Sequence, residues 1–251
     1  MDIQTIEGYT LRAWHALDEE SCDGWLLRFA NGYTSRSNSV NPLYGSTLDV
    51  NTKIDYCESA YQQRGLIPRF KLTPAAYPAD LDSVLEERGY TRQTPSQVMT
   101  LDLAQLPPFE NKPDVHISGD MHLSQTWLNA YVRLSEIRAE YLDTMQTLLQ
   151  HNQPQPYFAC ARQGDEIVAV TLGVWDEDMI GLFDVVTQSA QRGQGIGTAL
   201  ITHVLQQGIA NGARTGYLQV LAANTSAIRL YTRLGFQFAY PYWYRTLSDR
   251  P

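Results

Sequence analysis

The sequence predicts an α/β (α+β) fold, a mixed and mostly antiparallel sheet flanked by helices. Three observations predict it. Apolar strand-like runs cluster at residues 157–161, 166–175 and 179–187; strand and helix patterns alternate after them; and Gly or Asn-Gly punctuates the helical stretches. With 43% hydrophobic and 18% charged residues among 251, the composition is globular and the length suits two domains.

In chain order, residues 24–30 (GWLLRFA) read as a strand. Val50, Ile54, Cys57 and Tyr61 share one helical face, which stops at Gly65. Residues 66–70 form a strand that Pro68 keeps either short or at an edge. Leu81, Val84 and Leu85 mark a helix ended by Gly89, and residues 97–103 read as a strand. Pro107, Pro108 and Pro113 can continue neither helix nor central strand, so a linker is placed at 105–113, between units 1–104 and 114–251. Residues 123–150 carry helical spacing, as two helices, before a second proline-rich stretch at Gln153 to Pro156. Strands 157–161 and 166–175 then pair around Gln163-Gly164-Asp165, followed by strand 179–187. Leu200, Ile201, Val204, Leu205 and Ile209 give a helix an apolar face that Asn211-Gly212 closes. A buried strand at 217–221 precedes a helix at 225–234, capped by Asn224 and ended by Gly235; two short strands finish the chain.

The net charge of −8 is spread over both halves, which argues against non-specific binding to nucleic acid or an anionic membrane and suits a cationic substrate. Cys22, Cys57 and Cys160 lack zinc spacing and read as reduced thiols. His116, His122, His151 and His203 show no metal spacing, so no metal is expected. The start MDIQTIEGYT lacks a signal peptide's basic and apolar regions, and no run reaches the ~18 apolar residues of a membrane span. A soluble, cytoplasmic protein is expected, with monomer and homodimer both open.

Chemistry concentrates in Gln191-Arg192-Gly193-Gln194-Gly195-Ile196-Gly197-Thr198, which follows a strand and opens a helix. Glycines let backbone amides approach a ligand, and a helix N-terminus favours an anion, most naturally a diphosphate with Arg192 beside it. Neither the G-x-G-x-x-G spacing of dinucleotide sites nor the lysine of a P-loop is present. Alone, the segment reads equally as a turn with glycine for packing.

It is followed by Asn224-x-x-Ala227-Ile228-x-Leu230-Tyr231-x-x-x-Gly235-Phe236. Together the two motifs resemble the GCN5-related N-acetyltransferase (GNAT) superfamily, over residues 113–251. The resemblance implies acyl-CoA lying between two splayed parallel strands, 179–187 and 217–221. It implies that the backbone of Val185, Val186 and Thr187 bonds the pantetheine arm, that the amides of Arg192, Gly193, Gln194, Gly195, Ile196, Gly197 and Thr198 hold the pyrophosphate, and that Asn224 contacts the cofactor. Tyr231 matches the family's general-acid position; its other reading is a core tyrosine.

An amine must lose a proton before it attacks a thioester. Asp184 is the acidic residue within strand 179–187 and the candidate base, with a purely structural role equally open. A backbone N–H of Val185 or Val186 is the candidate oxyanion donor.

Trp127, Tyr131, Arg133, Glu136, Arg138, Glu140, Tyr141 and Asp143 occupy the stretch where the family builds its acceptor pocket, though most read as solvated surface. Tyr240, Tyr242, Trp243 and Tyr244 read as core or edge cover, or as an acceptor wall. Residues 48–90 repeat the order helix, strand, helix, Gly-Tyr without a glycine-rich loop. The first half therefore resembles a degenerate, cofactor-free copy, giving tandem GNAT-like folds of the two-part bacterial type. Arg28, Arg36 and Asn38 either face the acceptor site or serve as scaffold. The reading is an N-acetyltransferase moving acetyl from acetyl-CoA to the primary amine of a small molecule, a metabolite, amino acid or antibiotic, by direct attack through a tetrahedral intermediate. A protein or peptide acetyltransferase and a non-catalytic acyl-CoA-binding module are the alternatives.

Overall fold

A computed structural model describes residues 1–45, 47–108, 114–150 and 154–247. Residues 109–113 of the expected linker, Gln153 and His151 lie outside them; Gln105 closes a 3-10 turn at Leu103–Gln105.

The first half contains α1 (Ile3–Ala13), β1 (Asp18–Cys22), β2 (Trp25–Phe29), β3 (Val40–Asn41), α2 (Val50–Gln63), β4 (Arg69–Leu72), α3 (Leu81–Glu87) and β5 (Tyr90–Asp102). The second contains β6 (His116–Asp120), α4 (Gln125–Ser135), α5 (Leu142–Gln150), β7 (Gln155–Gln163), β8 (Glu166–Asp176) and β9 (Met179–Thr187). It continues with α6 (Ile196–Ala210), β10 (Thr215–Leu221), α7 (Thr225–Arg233) and β11 (Gln237–Leu247). These match many of the expected elements closely, with several differences. The sequence reading assigned no helix to residues 3–13 and no strand to 18–22, 40–41 or 116–120. Strand β5 starts earlier than residue 97. The chain ends in one long strand rather than two short ones, irregular between Phe238 and Tyr240 and between Tyr242 and Tyr244.

One mixed sheet runs through both halves in the order β1-β2-β3-β4-β11-β5-β10-β9-β8-β7-β6. The halves exchange strands at its centre: β5 pairs antiparallel with β10 (Leu218↔Met99), and β11 lies between β5 and β4. Strand β4 is thus interior, flanked by β3 and β11, not an edge; Pro68 precedes its ladder and costs no hydrogen bond.

Strand alternation sends Phe158 and Cys160 of β7 to one face, under α1, α4 and α5, and Ala159 and Ala161 to the other, under α6. Strand β8 is buried nearly end to end, as a strand covered on both faces must be. A third core joins Ile54, Cys57 and Tyr61 of α2 and Leu81 and Leu85 of α3 to the β2–β4 face. Helix α1 belongs in sequence to the first half but packs on the second. Trp14, at its end, stacks on Phe183 of β9 (centroids 5.8 Å apart), and Tyr9 donates to Glu177 at 2.7 Å. Among the described residues no helix is long and apolar enough to cross a membrane.

The first half repeats the strand–helix–parallel-strand unit of the second, with β3 and β4 meeting at Val40↔Phe70 beside α2. Carboxylates occupy the start of that helix. Asp49 accepts from the Thr52 amide, and Asp23 from the amides of Thr47 and Leu48. Negative charge already fills the electropositive helix end that a diphosphate would need.

Candidate active site

The site forms where two parallel strands part. β9 and β10 stay in register from Met179↔Thr215 to Leu182↔Leu218; beyond that both continue without pairing. Opposite, β9 is bulged against β8. Val170 pairs with Val186 and Leu172 with Phe183, so Asp184 and Val185 together face Thr171. Asp184 takes a positive φ of 51°, costly for a residue other than glycine and held here by the surrounding sheet.

The gap opens into a cavity of about 370 Å³. Of the residues singled out from sequence it brings together Asp184, Val185, Asn224 and Tyr231 with Arg36 from the first half and Tyr242 and Tyr244 from β11. Val186, Thr187 and residues 192–198 are outside its lining and follow along the strand and loop. Arg192 Nε donates to the Thr187 carbonyl at 3.1 Å, tying the glycine loop to the end of β9.

In that loop Gly193 (φ 78°) and Gly195 (φ 82°) are left-handed, and a side chain at Gly193 would meet open space. The first bonded amide of α6 is Ala199, donating to the Gly195 carbonyl at 3.0 Å. The amides of Gly193, Gln194, Gly195, Ile196, Gly197 and Thr198 have no partner among the described residues, whereas that of Arg192, expected with them, donates to the Ser189 carbonyl at 3.3 Å and closes a turn instead. A cleft between parted strands, next to a helix start with free amides, fits a diphosphate-bearing thioester. At α7, Asn224 spends its side-chain oxygen capping Ala227 N (3.2 Å), which leaves its amide nitrogen for the cavity.

Asp184 is paired with Arg36, Oδ1 to Nη2 at 3.3 Å; its side chain is 8% exposed, that of Arg36 26%. The other oxygen, Oδ2, is buried without a hydrogen-bond partner among the described residues. Burial raises the Asp184 pKa above the usual carboxylate range; the Arg36 charge and then the Tyr131 hydroxyl pull it partly back. Tyr231 is buried, with its hydroxyl bonded to no described residue, and burial pushes it up to about 12.

Arg36 rides on a loop that Asn38 organises, accepting from the amides of Ala30 (2.8 Å) and Gly32 (3.0 Å) and donating to the carbonyls of Tyr33 and Thr34. Arg28 is buried and donates to Glu19 and to the carbonyls of Leu11, Trp14 and Arg36. Of the three residues raised from the first half, only Arg36 reaches the cavity; Arg28 and Asn38 hold the loop that carries it.

The helical stretch behaves as the surface reading required. Arg133 pairs with Glu166 and Arg138 with Glu140 in solvent, while Trp127 and Tyr131 are core. Tyr240, Tyr242 and Tyr244 of the tail are core residues, as one reading had it, but β11 is interior and not an edge; Tyr240 donates to Glu7, and Tyr242 and Tyr244 also line the cavity. Thr94, Ser96 and Gln219 also line it and were missed, because polar residues in strand patterns carry no local signal.

Residues 1–245 match the family described as "Probable histone acetyltransferase Rv0428c C-terminal". The chain belongs to this family. Members of it are N-acetyltransferases, so the protein is an acyltransferase of GNAT type, and this fold family generally uses acetyl-CoA. A curated relative, the "Uncharacterized N-acetyltransferase YobR" of Bacillus subtilis, is 27% identical over 97% of this chain and 98% of its own length. Among solved structures, a GCN5-related N-acetyltransferase from Kribbella flavida aligns with TM-score 0.78 and 16% identity, covering 100% of this chain and 97% of that one. A tandem GNAT protein from the clavulanic acid biosynthesis pathway aligns with TM-score 0.64 and 14% identity over 80% of this chain and 70% of its own. Both structural likenesses bear on the fold.

Proposed function

We propose that this acetyltransferase moves an acetyl group from acetyl-CoA to the primary amine of a small molecule by direct attack. The observation that carries the reading is the 370 Å³ cavity at the point where β9 and β10 part, with Asp184 and Tyr231 on its wall. That size, with Asp184, Tyr231, Tyr242 and Tyr244 all largely buried on its wall, suits a small molecule better than a polypeptide surface.

The amides of residues 193–198 and the guanidinium of Arg192 hold the diphosphate, and the unpaired edge of β9 takes the pantetheine arm. Bound there, acetyl-CoA supplies a thioester-activated acetyl group. Asp184 Oδ2 accepts a proton from the acceptor ammonium, a role its raised pKa suits. The free amine forms the new N–C bond through a tetrahedral intermediate. Val185, left without a ladder partner by the bulge, is the better placed of the two valines to donate its N–H to the oxyanion. Tyr231 keeps its proton at physiological pH and donates a hydrogen bond to the departing sulfur. Outright transfer to a thiolate of ordinary pKa ~8.5 would run uphill by about 5 kcal/mol. The thiolate's proton therefore comes, on balance, from the one the amine released.

A polypeptide acceptor is the second reading, favoured by the words of the family description. The bacterial source of the relatives and three unpaired cysteines support a bacterial, cytoplasmic setting. Free thiol released from acetyl-CoA, followed over amino acids, polyamines, aminoglycosides and short peptides, tests the proposal. Turnover with small amines is expected; turnover confined to peptides refutes it.

A further inference from the structure

Two charged groups with unfilled hydrogen-bonding capacity stand side by side on the acceptor wall. Asp184 Oδ2 is buried and makes no well-formed hydrogen bond among the described residues, the nearby Tyr131 hydroxyl acting on the carboxyl only enough to lower its pKa in part. Arg36 makes one hydrogen bond there, through Nη2 to Asp184 Oδ1, leaving its other N–H donors without a described partner. Its guanidinium lies 4.3 Å from the Trp14 ring and 5.8 Å from Phe183. Aromatic cover on its face leaves the fork of donors along its edge, the geometry that binds a carboxylate in two-point fashion. Tyr244, 4% exposed on the same cavity, also has a buried hydroxyl without a described partner. Burial raises its pKa strongly, so it remains a neutral hydroxyl able to donate.

The cavity thus presents one open anion acceptor and an adjacent set of open cation-side donors. A polyamine would satisfy Asp184 and leave the Arg36 donors facing a like charge. A hydroxylated amine without a carboxylate would make Asp184 serve both its ammonium and Arg36, and would bring no second anion for the guanidinium's remaining donors. Resting on the acetyltransferase reading above, we infer that the acceptor is an amino acid or close analogue, its ammonium on Asp184 Oδ2 and its carboxylate on the Arg36 edge and the Tyr244 hydroxyl. Amine and carboxylate one carbon apart match a carboxylate and guanidinium already in contact at 3.3 Å. The first half of the chain then contributes directly to specificity, because its Asn38-organised loop supplies the residue that chooses the acceptor.

The test uses the full chain and three matched probe sets: free L-amino acids, their carboxamides, and the amines lacking the carboxylate. Free acids should exceed the other two sets in kcat/KM by about 10- to 100-fold, the size of a lost hydrogen bond to a charged group. Arg36→Gln should erase that preference through KM for the acids, any change from the loss of Asp184's partner being common to all three sets; Arg36→Lys should restore part of the preference. Stabilisation by acetyl-CoA, measured on each variant, reports folding and donor binding separately. Equal turnover of acids and amides, a uniform loss across all sets in Arg36→Gln, or turnover of peptides alone would overturn the inference. Absence of any acetyl-CoA stabilisation in the unmodified protein would instead overturn the acetyltransferase reading beneath it.

Discussion

Gly195 offers the sharpest test of donor binding. It stands at φ 82°, ψ 1° as the N-cap of α6, between free amides on both sides. A valine there must adopt a left-handed conformation, which costs roughly 1–2 kcal/mol. In a chain of this size each kcal/mol moves Tm by about 2–4 °C, so the unliganded Tm should fall by about 2–8 °C. Saturating acetyl-CoA, at about 100 times its Kd, stabilises a competent site by about 2.7 kcal/mol, or about 5–11 °C. Gly195→Val should lose that gain, because the side chain either fills the space of the diphosphate or re-aims the amides that hold it. Gly164→Val is the control: Gly164 is also left-handed (φ 59°) but sits in the β7–β8 turn with open space around it. It should show the same kind of baseline loss and the full acetyl-CoA gain. Thermal unfolding of the three proteins, with and without acetyl-CoA, decides the matter. A full gain retained in Gly195→Val would mean that the loop does not grip the donor.

Asp184→Asn should lower kcat by about 10²–10⁴-fold, the usual worth of a positioned base. Because burial holds the Asp184 pKa high, the folded state binds its proton more tightly than the unfolded chain, and ionising it costs stability as pH rises through that raised value. Asparagine escapes that cost, so Tm at pH 7 should stay level or rise, the difference shrinking toward acid; a lower Tm at pH 7 would contradict the assigned shift. Tyr231→Phe should reduce kcat by about 10-fold or more while the acetyl-CoA gain in Tm persists; unchanged kcat would remove it from the sulfur. Calorimetric titration should find one acetyl-CoA per chain, since Asp49 and Asp23 already satisfy the amides at α2; two sites would refute the degenerate reading of the first half. Lys71 and Glu7 form a buried ion pair to which Tyr240 also donates. Lys71→Met should cost about 3–5 kcal/mol in urea unfolding, and adding Glu7→Gln should recover part of it; no recovery would mean that the charge left behind is not the cause.

The features legible in the residues alone are local ones. Periodicity and punctuation placed β9 at 179–187, found α6 and its Asn-Gly close, and marked Asn224 as a cap, because these depend on neighbours within a turn or two. The glycine loop was visible as a local pattern for the same reason, whereas Tyr231 was singled out by the family resemblance. Which side chains share a wall was settled by packing over long distances along the chain. Arg36 and Asp184 are 148 residues apart and meet because α1 and the Asn38 loop pack across β9. Tyr244 faces the cavity, and not an outer edge, because β5 and β11 interleave at the centre of one sheet. Long-range strand pairing leaves no trace in local spacing, and the cavity is built almost entirely from such pairings.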